Sequence, residues 1–290
     1  MTLVEQQVTA PTVSLGGLLH GVAQQPTTSD VTVEQYAEYI VRGGWPQLLD
    51  ASPRRAADFV GAYLDNLVEV DIPQATGVRR DPRMVRRFLL AYAQLTAHPA
   101  PLARIVERAR GRADDGPSRW TAEPYLDALR RLMVVDEVAA WNPSLRSRSA
   151  LVSYPKRHLV DPSLAAYLMG ASQERLIADL NTLGFLFESL VTRDIQVYAD
   201  TVGASIAHYR EAGGRFEIDL VVEDRSGAWV GVEVKLGGAA AIDAAAAALR
   251  RLDQDRVGVR AAALVVVTAG QYAYRREDDV WVVPLACLAP

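Results

Sequence analysis

Residues 216–238 read FEIDLVVEDRSGAWVGVEVKLGG. Two runs of strand character, FEIDLVVE (216–223) and WVGVEVKL (229–236), flank DRSGA, a cluster of turn formers, and together they predict a β-hairpin. Side chains alternate along a strand. Phe216, Ile218, Leu220 and Val222 therefore share one face, with Glu217, Asp219, Val221 and Glu223 on the other; in the second strand Val230, Val232 and Val234 oppose Glu233 and Lys235. Centring the hairpin on Ser226 sets Asp219 across from Glu233 and Glu217 across from Lys235. Opposed residues in an antiparallel pair lie about 4.5–5.5 Å apart at Cβ, so two carboxylates are expected to converge with an amine one step along.

Carboxylates that close repel unless a cation neutralises them. Mg²⁺ is held by one or two carboxylates, with water and substrate phosphate completing its octahedron. Such an ion polarises a phosphodiester and makes hydroxide from water, and Lys235 would orient that water or stabilise charge in the transition state. The same residues also read as simple cross-strand ion pairs on an exposed sheet face, which are worth little. A third acid, Glu188, lies in LGFLFESLV on a helix whose core-facing residues are Leu180, Leu183, Phe187, Leu190 and Val191. An acid among apolar neighbours needs a partner: either a place beside Asp219 and Glu233, or a bond to Arg193 or Thr192.

Outward from the hairpin, a helix over about 174–198 precedes three strands. An alanine-rich helix over about 239–252 and a buried strand, AALVVVT, follow. This helix–strand–strand–strand–helix–strand order predicts an α/β layer with its own core over 166–290. Residues 1–30 carry no sustained period and read as an extended or partly mobile lead-in. Residues 31–75 read as a helical linker, with helices from near Val31 and over 53–70. Over 76–165, helices are expected at 82–97, at 102–110 and from Thr121, and two strand-like runs, 133–141 and 150–160, follow them. Three helices and then a basic hairpin is the order of a winged helix-turn-helix. The fold class is thus α+β with an α/β part: N-terminal helices, a winged-helix-like middle and a carboxy-terminal α/β domain.

Charge is unevenly spread. Residues 1–75, 76–160 and 161–290 carry net charges of −6, +8 and −6, against −4 for the whole chain. A basic middle is the footprint of polyanion contact. It puts Arg130 and Arg131 near a DNA groove, and Arg146, Arg148 and Lys156, in the hairpin, on phosphates. The bland alternative is an arginine coat on an internal packing module, which Glu123 and Asp127 on the same helix favour. One cysteine, Cys287, and four scattered histidines exclude a structural zinc site. The first residues lack a basic start and an apolar stretch, and no apolar run approaches the ~20 residues that span a bilayer, so a cytoplasmic chain with no membrane partner is expected.

Glu188 on a helix, Asp219 on a strand and Glu233-Val234-Lys235, followed by a helix and a strand, resemble the PD-(D/E)xK restriction-endonuclease-like core, with Glu217-Ile218 where that motif has a proline before the aspartate. More narrowly, GFLFESLVTRDI (184–195), FEIDLVV and GVEVKLG, with RGGWPQLL (42–49) and YPKRHLVDPSLAAYL (154–168) upstream, resemble an uncharacterised carboxy-terminal domain that follows the P-loop module in a family of prokaryotic AAA-type ATPases. The resemblance covers residues from about 35 onward. It implies Asp219, Glu233 and the Val234 carbonyl as Mg²⁺ ligands, Lys235 as the water-orienting residue and Glu188 as an auxiliary acid. No GxxxxGK[ST] motif occurs in this chain. ATP hydrolysis by it alone is not expected, and a separate P-loop ATPase subunit is a candidate partner. Two functions stand open: a Mg²⁺-dependent phosphodiesterase acting on DNA, and a non-catalytic module that binds nucleic acid or an ATPase.

Overall fold

The structure, a computed structural model, describes residues 1–7, 9, 11–78, 81–111, 116–143, 154–211 and 213–290. The chain divides into two units that interleave in sequence, where the residues alone suggest four consecutive segments. A sheet unit takes Met1–Tyr36, the stretch around Trp141 and Leu190–Pro290; a helical unit takes Ala37–Val138 and Tyr154–Ser189.

The amino-terminal lead-in is built into the sheet unit. Leu3, Val13, Leu15, Leu18 and Leu19 are buried. Strand β1 (Val13–Ser14) pairs in parallel with Leu288 and Ala289. Ser14 Oγ caps helix α1 (Leu15–Leu19) by accepting from Gly17 N at 3.0 Å, and it donates to the Pro290 carbonyl at 2.7 Å. A two-residue strand and a five-residue helix are too short to show a period, which is why the sequence reads as unstructured here. Strand β2 (Thr27–Thr28) closes the segment.

Helix α2 (Val33–Arg42) leads into the helical unit. Ser52 caps α3 (Pro53–Asn66), whose proline sits in the first turn. One π-helical stretch, Leu67–Asp71, then joins it to α4 (Ile72–Thr76), which Gly77 ends at φ +67°. Helix α5 (Pro82–Ala93), strand β3 (His98–Pro99), helix α6 (Leu102–Arg110), helix α7 (Arg119–Arg131) and strands β4 (Val135–Val138) and β5 (Lys156–Leu159) follow. Helix α7 starts earlier than Thr121: Ser118 is the cap, its Oγ accepting from Thr121 N at 3.2 Å. Strand β5 lies between β3 and β4 and is antiparallel to both. Phe88, Leu89, Tyr92, Tyr125 and Leu129 are buried, with the Phe88 and Tyr125 rings 5.8 Å apart.

Helices α8 (Pro162–Leu168), α9 (Gln173–Ala178) and α10 (Leu180–Thr201) complete the helical elements before the large sheet. One helix was expected over 174–198. The chain breaks it at Asp179, which leaves helical geometry (φ −124°, ψ 78°), and its carboxylate accepts from Thr182 N at 3.1 Å and Thr182 Oγ1 at 2.7 Å. The apolar spacing carries across the break, so periodicity alone hides it.

The large sheet has seven strands in the order β2-β10-β11-β9-β8-β7-β6. Besides β2, its members are β6 (Ala204–Arg210), β7 (Glu217–Asp224), β8 (Trp229–Lys235), β9 (Ala263–Thr268), β10 (Tyr272–Arg275) and β11 (Trp281–Pro284); β12 (Leu288–Ala289), the parallel partner of β1, forms a separate two-stranded sheet with it. Strands β6, β7 and β8 form an antiparallel meander, while β9 runs parallel to β8 and to β11. The parallel β8–β9 step requires a crossover, and helix α11 (Ala239–Asp255) supplies it. Ala245, Ala246, Leu249 and Leu252 on α11 pack with Ile218, Val221, Trp229, Val266 and Val282. Gly231 permits this close approach: a Cβ there would stand 3.1 Å from the Leu249 side chain and 3.2 Å from the Trp229 ring. Among the described residues, no helix is long and apolar enough to cross a membrane.

Candidate functional site

The hairpin between β7 and β8 forms about Ser226. Leu220 faces Val232, Val221 faces Gly231 and Val222 faces Val230. Asp224 builds the turn: its Oδ1 accepts from Ser226 N at 2.8 Å, Ser226 Oγ at 2.7 Å and Ala228 N at 3.0 Å. The Ser226 hydroxyl is the main reason that the Asp224 carboxyl titrates below its ordinary range.

The backbone ladder between the two strands ends at Leu220 and Val232. Beyond it, a side chain takes over: Asp219 Oδ2 accepts the Val234 amide at 2.9 Å. The cause is a bulge. On the β6 side, Ala207 faces Val221 and Tyr209 faces Ile218, so His208 stands opposite both Leu220 and Asp219. An extra residue of this kind re-aims side chains and ends pairing. It also breaks the strict alternation expected along β7, since Ile218 and Val221, three residues apart, both join the core under α11.

Three oxygens meet at the Lys235 ammonium. Nζ lies 2.6 Å from Glu233 Oε2, 2.9 Å from the Val234 carbonyl and 3.4 Å from Asp219 Oδ2. The Glu233 side chain is 8% exposed and that of Asp219 14%, while Lys235 remains 32% exposed. The expected convergence of Asp219, Glu233 and Lys235 therefore occurs. The expected facing of Glu217 and Lys235 does not, because the bulge intervenes; Glu217 is the strand partner of Arg210, with Oε2 3.8 Å from the guanidinium.

Glu188 belongs to the helical unit, and there its Oε1 accepts from Lys156 Nζ at 2.6 Å. Arg193, one of the two local partners expected for Glu188, holds the buried Asp194 at 2.8 Å. Lys156 corrects an expectation outright. A phosphate-contacting residue must reach solvent, yet this side chain is 1% exposed. All four residues of β5 are buried, and the apolar residues that flank Lys-Arg-His on both sides were the available signal. His158 Nδ1 lies 3.1 Å from Ser189 Oγ, and Arg157 bonds the Ala100 carbonyl at 2.9 Å and pairs with Glu137. Burial lowers the pKa of the Arg157 guanidinium.

The expected groove-facing arginines are engaged within the unit. Arg130 grips Glu137 through Nε (2.7 Å) and a terminal nitrogen (3.2 Å) and also reaches Asp127 at 3.1 Å. Arg131 donates to the Ala75 carbonyl at the end of α4. Arg146 and Arg148 lie outside the described residues. Unforeseen in the sequence was the tie between Trp141 and the hairpin: Trp141 Nε1 donates to Glu223 at 2.9 Å, and its ring lies 5.0 Å from that of Trp229.

Glu233 Oε2, Asp219 Oδ2 and the Val234 carbonyl are all hard oxygen donors, the set that Mg²⁺ accepts. Among the described residues, no group of three or more His, Cys, Asp or Glu side chains is placed to hold a metal. Any ion here rests on two carboxylates, one carbonyl and solvent or substrate oxygens.

A search of curated proteins gives no match. Two family models do match, each over less than half of the chain. Residues 183–288, which contain Glu188, Asp219, Glu233 and Lys235, are similar to a domain of unknown function (DUF4143), and residues 33–175, which contain Arg130, Arg131 and Lys156, are similar to another domain of unknown function (DUF8612).

Proposed function

We propose that this chain is a Mg²⁺-dependent phosphodiesterase acting on DNA, with a PD-(D/E)xK-like core of the kind joined to prokaryotic AAA-type ATPases. The observation that carries the reading is the meeting of Asp219 Oδ2, Glu233 Oε2 and the Val234 carbonyl within 3.4 Å of one cationic atom. The order helix α10, meander β6-β7-β8, crossover α11 and parallel β9 supports it, with the acids on the second and third strands of the meander.

Asp219 and Glu233 would hold the ion, with Val234 supplying a third oxygen. When bound, Mg²⁺ polarises a phosphodiester and lowers the pKa of its water. The chain's own contribution is positional. The Val234 amide fixes the Asp219 carboxylate, burial holds Glu233 in place, and the half-exposed Lys235 ammonium can face a phosphoryl oxygen as negative charge develops there. In the helical unit, the order helix–strand–helix–helix–strand–strand with β5 central supports a winged-helix module that holds the DNA.

The test is supercoiled plasmid incubated with Mg²⁺ or Mn²⁺. Strand scission that stops with chelator and falls by about 100-fold or more in D219N and E233Q is expected; scission retained by D219N overturns the assignment. A second reading has its own observation: Lys235 already bonds both carboxylates within the chain. On that reading the chain is a non-catalytic module that binds nucleic acid or a separate P-loop ATPase. DNA retention or ATPase co-purification without scission, unchanged by D219N, is its signature.

A further inference from the structure

We infer that Lys235 is the built-in counter-cation of this site and that a divalent ion enters by displacing its ammonium. The inference rests on the reading of Asp219 and Glu233 as metal ligands. An ammonium has three hydrogens to donate. Those of Lys235 face Glu233 Oε2, the Val234 carbonyl and Asp219 Oδ2 at 2.6, 2.9 and 3.4 Å, the same three oxygens that make up the proposed ligand set. Mg²⁺ binds its oxygens at about 2.0–2.1 Å, closer than the ammonium does. The two cations therefore claim the same space, and like charges at such range repel.

Two features make exchange possible. The Lys235 side chain is 32% exposed, and its four-carbon stem can carry the ammonium outward. Asp219, by contrast, stays anchored when the ammonium leaves, because its Oδ2 also accepts the Val234 amide at 2.9 Å. The oxygens remain arrayed for the incoming ion. Without metal, Lys235 relieves the repulsion between two nearby carboxylates; with metal, it is released toward solvent, where a phosphate oxygen would be.

The experiment measures Mn²⁺ binding by calorimetry to wild type, K235M and D219N. Removing a competing charge a few ångströms away should tighten K235M by about tenfold or more, and added Mn²⁺ should raise its melting temperature more than that of wild type. Binding to wild type that D219N abolishes but K235M leaves equal or weaker overturns the inference while the metal-site reading survives. If neither wild type nor K235M binds Mn²⁺, the reading and the inference fail together. A second measurement needs no variant. The chain has two lysines, Lys156 and Lys235, and Lys156 is buried, which makes it an internal reference. Acylation of native protein, read by peptide mass, should modify Lys235 faster with Mn²⁺ than with chelator; an unchanged or slower rate overturns displacement.

Discussion

Lys156 and Glu188 show what a single residue's surroundings decide. Their charged atoms are 2.6 Å apart, with side chains 1% and 11% exposed. Removing one partner from a buried pair strands the other charge in a poor solvent, at a cost of about 3–5 kcal/mol, whereas replacing both with apolar residues of similar volume is often close to neutral. Urea denaturation should therefore show K156M strongly destabilised and K156M/E188L largely restored; a K156M loss below about 1 kcal/mol would mean that the pair contributes little. The residue string alone places Lys156 in a basic segment and so suggests a surface role. Its burial follows from partners on distant elements, which charge counting cannot see. Cys287 is simpler. Burial pushes its thiol up to about 11, so little thiolate exists at neutral pH and a thiol reagent should label it only after unfolding.

At the scale of elements, the β7–β8 hairpin carries the candidate site, and its turn is where pH can be read. Asp224 accepts three hydrogen bonds from the turn, and its folded pKa lies below its ordinary value, the Ser226 hydroxyl being the main cause. A depressed carboxyl contributes stability that is present above the unfolded pKa, near 3.8, and lost as pH falls through the folded one. An amide keeps an acceptor but no charge. Wild type should thus exceed D224N in stability at pH 7 by less than about 1 kcal/mol, since the group is solvent-screened, and the two should converge as the pH falls through the folded pKa of Asp224; a difference that persists once the carboxyl is protonated would assign the effect to shape rather than charge. The register of this hairpin was legible, because DRSGA between two alternating runs leaves Ser226 as its centre. The bulge opposite His208 was not. It arises from pairing with β6, and nothing in FEIDLVV marks the point where two residues oppose one. The break at Asp179 escaped for a related reason: the apolar period continues across it, and only the Asp-x-x-Thr capping bonds reveal a new start.

For the molecule as a whole, the question is which charges remain to meet a polyanion. The segment 76–160 carries a net +8, yet much of that charge is engaged within the helical unit: Arg86 with Asp65, Arg119 with Glu123, Arg130 with Asp127 and Glu137, Arg157 with Glu137, and Lys156 with Glu188. Composition counts all of these alike, so the sequence overstates the basic surface. Arg104 and Arg108 differ. They stand one turn apart on α6, are exposed, and make no salt bridge among the described residues. Each cation that neutralises a DNA phosphate contributes about −0.9 to the slope of log K against log salt. If the helical unit holds DNA through charges that are free to do so, R104A/R108A should flatten that slope by roughly 2 and weaken retention evenly across sequences. R130A should leave the slope within about 0.5 of wild type, because its guanidinium is already committed to two carboxylates. Filter binding of a short duplex between 50 and 200 mM salt separates the cases. A slope that R130A flattens and R104A/R108A does not would show that Arg130 abandons Glu137 on binding, returning the contact surface to α7.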